Sequence, residues 1–243
     1  NDQLKKDNIA IYEAAIQFDQ FFIRVDVLNK NGNDVELIEV KAKSFNPIDT
    51  DFKYKRSKYI RPGWRPYLFD VAFQTWVTKQ AFPDWNVTPY LMLADKTKVT
   101  TEEGLNQLFR IKPNEHDPER KECEYIGGDM ELGEEILIKV DVSELVEQIW
   151  NGEAIPPDDK TKDDILDFGE RAQKYAKHYK NDTKLETSIG VHCKDCEFKS
   201  NRKNGKKSGY EECWKSQVGG HFSEDEPHIF DLWDNRNKED FIN

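Results

Sequence analysis

Long apolar runs are missing from this chain of 243 residues. No stretch approaches the roughly 20 consecutive apolar residues of a bilayer-spanning helix, so no membrane partner is expected. No secretory leader is read at the start, and the expected compartment is the cytoplasm. Cysteine is sparse, four in all, and includes a close pair that in an intracellular setting suggests metal more than disulfide. Positive charge is also short: 36 Lys and Arg face 47 Asp and Glu, for a net charge of −11. Such acidity disfavours a generic nucleic-acid coat but leaves room for a local basic groove. Internal repeats are absent. The first residue is Asn1 rather than Met, and the closing HIFDLWDNRNKEDFI reads as the start of another segment. A piece of a longer polypeptide with further domains is therefore expected.

What is present is concentrated between Phe21 and Lys43, FFIRVDVLNKNGNDVELIEVKAK. Phe21 to Leu28 and Val35 to Val40 read as strands, with Asn31-Gly32-Asn33 as the turn between them. Side chains alternate along a strand, so Glu39 and Lys41 share a face with Val40 opposite. Asp26, on the preceding strand of the hairpin, is close enough to join them. Two carboxylates beside an ammonium suit metal-assisted phosphodiester cleavage: the carboxylates offer hard oxygen ligands to Mg²⁺ or Mn²⁺, and the lysine orients water or stabilises developing charge. The spacing also arises by chance, because exposed strand faces often alternate in charge.

Around that hairpin, Ile9 to Phe18 reads as a strand that completes an antiparallel meander. Its Glu13 is either an edge-strand surface charge or a further acid near the metal site. Pro66 to about Ala81 reads as a helix, with Leu68, Val71, Ala72, Thr75 and Trp76 facing a core and Pro83 ending it. Gln74 falls off that stripe, one turn after Asp70. Val87 to Ala94 is a buried strand, so the order is strand, strand, strand, helix, strand. That order predicts a mixed α/β (α+β) fold, a mixed sheet with a helical crossover.

Between hairpin and helix the charge changes sign. Lys53, Lys55, Arg56, Lys58, Arg61 and Arg65 interleave with Phe52, Tyr54, Tyr59, Trp64 and Tyr67. Cations neutralise phosphates while aromatic faces stack on bases, so the mixture suits single-stranded or frayed nucleic acid. Alternatively it is a solvated loop whose aromatics cover the core. Further on, Leu105 to Phe109 is a short helix or turn and Pro113 to Lys121 a polar loop. Glu134 to Val140 is a strand, followed by a short helix to Trp150 and, past a linker, a helix from Asp163 to about Tyr179. The tail holds Cys193-x2-Cys196 and then Cys213, a spacing that presents thiolates to one metal, with Cys123, His192 or an upstream residue as the fourth ligand. The expected division is a core over residues 1–150 and a helical, cysteine-containing module over 151–243.

The succession EAAIQF, FFIRVDVL, ELIEVKAK, DVAFQTWV and a C-x2-C…C-W tail resembles the RecB-type branch of the PD-(D/E)XK nuclease superfamily. It is similar to bacterial relatives of the CRISPR-associated nucleases that carry an iron–sulfur cluster. The resemblance covers about residues 9–96 well and the tail more loosely. It implies a restriction-endonuclease-like core flanked by helices and a Mg²⁺- or Mn²⁺-dependent DNA nuclease, acting as an exonuclease on single strands or free ends, in repair or defence. It assigns Asp26, Glu39 and the carbonyl of Val40 to the metal, Lys41 to catalysis and Gln74 to support of the site. Glu13 stands in for an upstream acid. A 4Fe–4S cluster, or alternatively Zn²⁺, would sit on Cys193, Cys196, Cys213 and Cys123. The other expectation is a non-catalytic nucleic-acid-binding or structural module of a larger protein.

Overall fold

A two-residue turn sets the centre of the sheet. Gly32 opens it with a φ of +60°, a conformation that glycine adopts without a Cβ penalty. Across that turn β2 (Phe21–Asn31) and β3 (Asp34–Phe45) pair antiparallel, with Asn31 opposite Asp34. The edge strand β1 (Asn8–Phe18) folds back onto β2 through Asp19, whose short side chain tolerates its φ of +50°. The expected meander is present, with strands longer than their apolar runs.

The structure, a computed structural model, describes residues 3–49, 52–115, 117, 119, 121–130, 132–157, 162–185, 189, 190, 193, 194, 196–200, 205, 207–219, 222, 223 and 226–232. His192, most of the basic insert after Cys196 and the end of the closing segment lie outside these residues.

After β3 the chain crosses the sheet as helix α1 (Arg65–Ala81) and returns as β4 (Asn86–Asp95), parallel to β3. Pro66 sits in the first turn of α1, where a missing N–H costs nothing, and Pro83 follows the last. A hairpin of β5 (Phe109–Pro113) and β6 (Lys121–Tyr125) then stands apart from the main sheet. β7 (Leu137–Asp141) adds antiparallel to β4, giving the order β1-β2-β3-β4-β7. Helix α2 (Ser143–Trp150) packs on α1, and its Trp150 indole donates to the Ala72 carbonyl at 3.2 Å. The fold is thus mixed α/β, a five-stranded mixed sheet flanked by helices. Val25, Leu28, Leu37, Leu91 and Leu93 of the sheet and Leu68, Val71 and Ala72 of α1 form the core.

The polar loop expected over Pro113–Lys121 runs between two short strands that went unread, each of only five residues, too few for alternation to stand out. Two expectations need correction. The helix expected from Asp163 begins at Phe168, as α3 (Phe168–Lys180), because the Asp167 carboxylate accepts from the Gly169 amide at 2.8 Å and starts it there. Finally, the chain divides into compact units at residues 177 and 178 rather than at 150. Phe168 explains the shift, since it is buried in the main core with its ring edge-on to Trp76.

In the second unit, α4 (Gly209–Val218) starts at Ser208, whose side chain caps the Glu211 amide. Tyr210 and Trp214 are buried there, with Phe222 and Phe230 packed against them. Among the described residues no helix is long and apolar enough to cross a membrane.

Candidate active site

β2 and β3 part company at the middle of the sheet. Their ladder runs from Asn31↔Asp34 to Val27↔Ile38 and stops. At the next position a side chain replaces the backbone: Asp26 Oδ2 accepts the Val40 amide at 2.8 Å. β3 then bulges against β4. From the Val40–Met92 pair to the Ser44–Ala94 pair, β3 advances four residues and β4 two. Bulges of this kind re-aim side chains beside functional sites.

Glu39 and Lys41, on one face of β3, meet helix α1. Lys41 Nζ donates to Glu39 Oε1 at 2.6 Å and to Asp70 Oδ2 at 2.9 Å. Gln74 Nε2 donates to Glu39 Oε2 at 2.9 Å and to Asp70 Oδ1 at 3.1 Å. Four side chains thereby close a ring in which two donors each bridge the same two carboxylates. Two carboxylates facing one end of the Gln74 amide identify that end as the NH₂. Its Oε1 is buried with no donor among the described residues.

Burial shapes the electrostatics. Glu39 is 5% exposed and Gln74 6%. Desolvation pushes the Glu39 carboxyl above the usual carboxylate range; hydrogen bonds from Lys41 and Gln74 oppose it, and the charges of Asp26 and Asp70 reinforce it. Burial alone would lower Lys41, but its bonds to Glu39 and Asp70 outweigh that and hold it above the ordinary lysine value. Three carboxylates, Asp26, Glu39 and Asp70, and the one ammonium of Lys41 leave the cluster with excess negative charge.

The structure therefore brings together Asp26, Glu39, Lys41 and Gln74. Val40 contributes its amide to Asp26, and its side chain is exposed. Glu13 is not part of the cluster: it has a φ of +55° and pairs with Arg24 at 2.6 Å. Asp70 was missed as a site residue, although its place one turn before Gln74 was the available signal. Lys43, on the same face of β3 as Glu39 and Lys41, was not among the residues expected here.

The basic aromatic segment divides. Lys53, Lys55, Arg56 and Lys58 belong to an irregular stretch, with Lys55, Arg56 and Lys58 exposed. Arg61 lies over the Tyr54 ring, and Arg65 donates to the Ile60 carbonyl at 3.0 Å. Trp64 is corrected from a stacking surface to core: it is 5% exposed and packs with Phe45 and Phe52. A ring enclosed in that way presents no face to a base.

Among the described residues no three His, Cys, Asp or Glu side chains group so as to hold a metal ion. For Mg²⁺ or Mn²⁺ the donors still fit, because such ions are commonly held by one or two carboxylates with water and phosphate completing the shell. Asp26 and Glu39 would supply those oxygens, and a dication would offset the surplus negative charge. Cys193 and Cys196 lie at the aromatic core of the second unit and Cys213 is on α4, and none of the three is in a disulfide. Cys123 is exposed on β6 in the first unit.

No family model, curated protein or solved structure matches the chain.

Proposed function

We propose that this chain is a Mg²⁺- or Mn²⁺-dependent DNA nuclease of the RecB-type PD-(D/E)XK kind, built on a restriction-endonuclease-like core. One observation carries the reading. Asp26, Glu39 and Lys41 converge where β2 and β3 separate, and Gln74 reaches Glu39 from the crossover helix. In this reading Asp26, Glu39 and the Val40 carbonyl hold the dication, which when bound supplies charge neutralisation at the scissile phosphate and a more acidic water. Lys41 Nζ donates toward the charge that builds on the phosphoryl oxygens as water adds and the P–O bond to the leaving sugar breaks. Gln74 and Asp70 fix Glu39 and Lys41, so that neither reorganises during the reaction. Lys53, Lys55, Arg56 and Lys58 draw a strand toward the cleft, with free ends preferred.

The test is cleavage of end-labelled single- and double-stranded DNA with Mg²⁺, Mn²⁺ or EDTA, comparing the wild type with Glu39→Ala. Metal-dependent cutting that disappears in the variant supports the reading. Binding without cutting by either protein favours the second reading, a non-catalytic nucleic-acid-binding module. That alternative draws on Glu39, each of whose two oxygens already accepts from a protein donor.

A further inference from the structure

Past the E-x-K triplet, β3 carries one more cation toward helix α1. The ammonium of Lys43 lies 4.5 Å from the centroid of the Trp64 ring and 4.9 Å from that of Tyr67. It donates to the Gly63 carbonyl at 2.8 Å. The Tyr67 ring also lies 5.9 Å from the Lys41 ammonium, so one ring is shared by two cations. Their surroundings differ. Lys41 is held by Glu39 and Asp70, whereas no carboxylate among the described residues pairs with Lys43.

Two aromatic faces attract an ammonium without cancelling its charge. A single carbonyl occupies one of three N–H donors and leaves the others available. The first turn of α1 carries no acidic side chain to compete for them. Lys43 is thus an oriented, uncompensated positive charge beside a cluster of three carboxylates. A polyanion approaching that cluster is repelled unless a fixed cation holds it from alongside, and Lys43 is placed to do so.

We infer that Lys43, clamped between Trp64 and Tyr67, is a phosphate-binding subsite for a nucleic-acid strand and holds the phosphodiester next to the one at Asp26, Glu39 and Lys41. The neighbour's role rests on the nuclease reading, but the subsite's own test does not. Binding of a short fluorescent oligothymidylate is measured in EDTA across a salt series, for the wild type, Lys43→Gln and Lys43→Arg. One phosphate contact on a single strand contributes about 0.7 to the slope of log K against log salt. Lys43→Gln is expected to lower the slope by about that amount, and Lys43→Arg to retain it. Circular dichroism confirms that each variant is folded.

An unchanged slope in Lys43→Gln overturns the subsite, and so does a wild type that binds no oligonucleotide. A lowered slope that Lys43→Arg does not restore also overturns it, because charge is then not what matters. Cleavage is scored separately. Lys43-dependent binding without metal-dependent cutting leaves the subsite standing and removes the nuclease; cutting with an unchanged slope does the reverse.

Discussion

Lys41 and Asp70 stand 29 positions apart in the chain and 2.9 Å apart in the fold. Their contact ties the strand that carries Glu39 to the helix that carries Gln74. Because Gln74 bridges the same two carboxylates, removing any one of the four leaves its partners without a bond they make now. The ring is a joint between sheet and helix as well as a candidate site.

Asp70→Ala is therefore expected to act on both. The pair is partly exposed, so a double-mutant cycle of Asp70→Ala with Lys41→Met should give a coupling of no more than about 1 kcal/mol in unfolding free energy. The effect on cleavage should be larger, about tenfold to a hundredfold, because Lys41 loses one of its two anchors and small misplacements are costly in a reacting geometry. Asp70→Glu should recover part of the rate. Equal rates for Asp70→Ala and the wild type would remove Asp70 from the site.

Lys41→Ala separates chemistry from metal binding. Cleavage is expected to fall by at least about a hundredfold, as on loss of a charge-stabilising donor. Mn²⁺ affinity, read by calorimetry, is expected to hold or rise, because Lys41 no longer competes for Glu39 Oε1. A variant that binds Mn²⁺ and cuts at the wild-type rate would show that Lys41 is structural.

How much of this was legible follows from which residues obey local rules. Glu39 and Lys41 are two apart on a strand, so alternation alone puts them on one face, and the hairpin turn at Gly32 brings Asp26 alongside. Gln74 announced itself as an amide off an apolar helical stripe. Lys43 obeys the same alternation, two residues beyond Lys41, but the rings that hold it come from Trp64 and Tyr67, outside the strand. Trp64 is buried only because Phe45 and Phe52 come together around it. Glu13 lies in the edge strand as read, but its left-handed backbone and its pairing with Arg24 are invisible to alternation. Tertiary packing decided each of these.

Acid stability offers a check away from the site. The hydrogen bond from Lys139 holds Glu36 below the usual carboxylate range, against a smaller cost of burial and with help from Asn29. A depressed folded value means that the unfolded chain binds the proton more readily. The stabilisation is thus fully present above the ordinary glutamate value of about 4.3 and is lost as pH falls through the folded value. Glu36→Gln should flatten the fall of unfolding free energy in that window and leave its slope near neutrality unchanged. An identical acid profile in the variant would show that the Lys139 bond contributes nothing in solution.

Trp64 and Lys55 decide how the basic aromatic segment is divided between core and surface. Trp64 is enclosed by Phe45, Phe52 and Tyr67, so Trp64→Ala removes a large ring from a packed site and is expected to cost about 3–5 kcal/mol. It also takes away one of the two faces that hold Lys43. Lys55 is exposed, with Asp49 at 4.0 Å, and Lys55→Ala is expected to stay within about 0.5 kcal/mol of the wild type. Urea unfolding of the two variants measures both. A small loss for Trp64→Ala would mean that the ring is accessible in solution and would return it to the nucleic-acid surface. A large loss for Lys55→Ala would mean that the segment's cations, rather than its rings, hold it on the core.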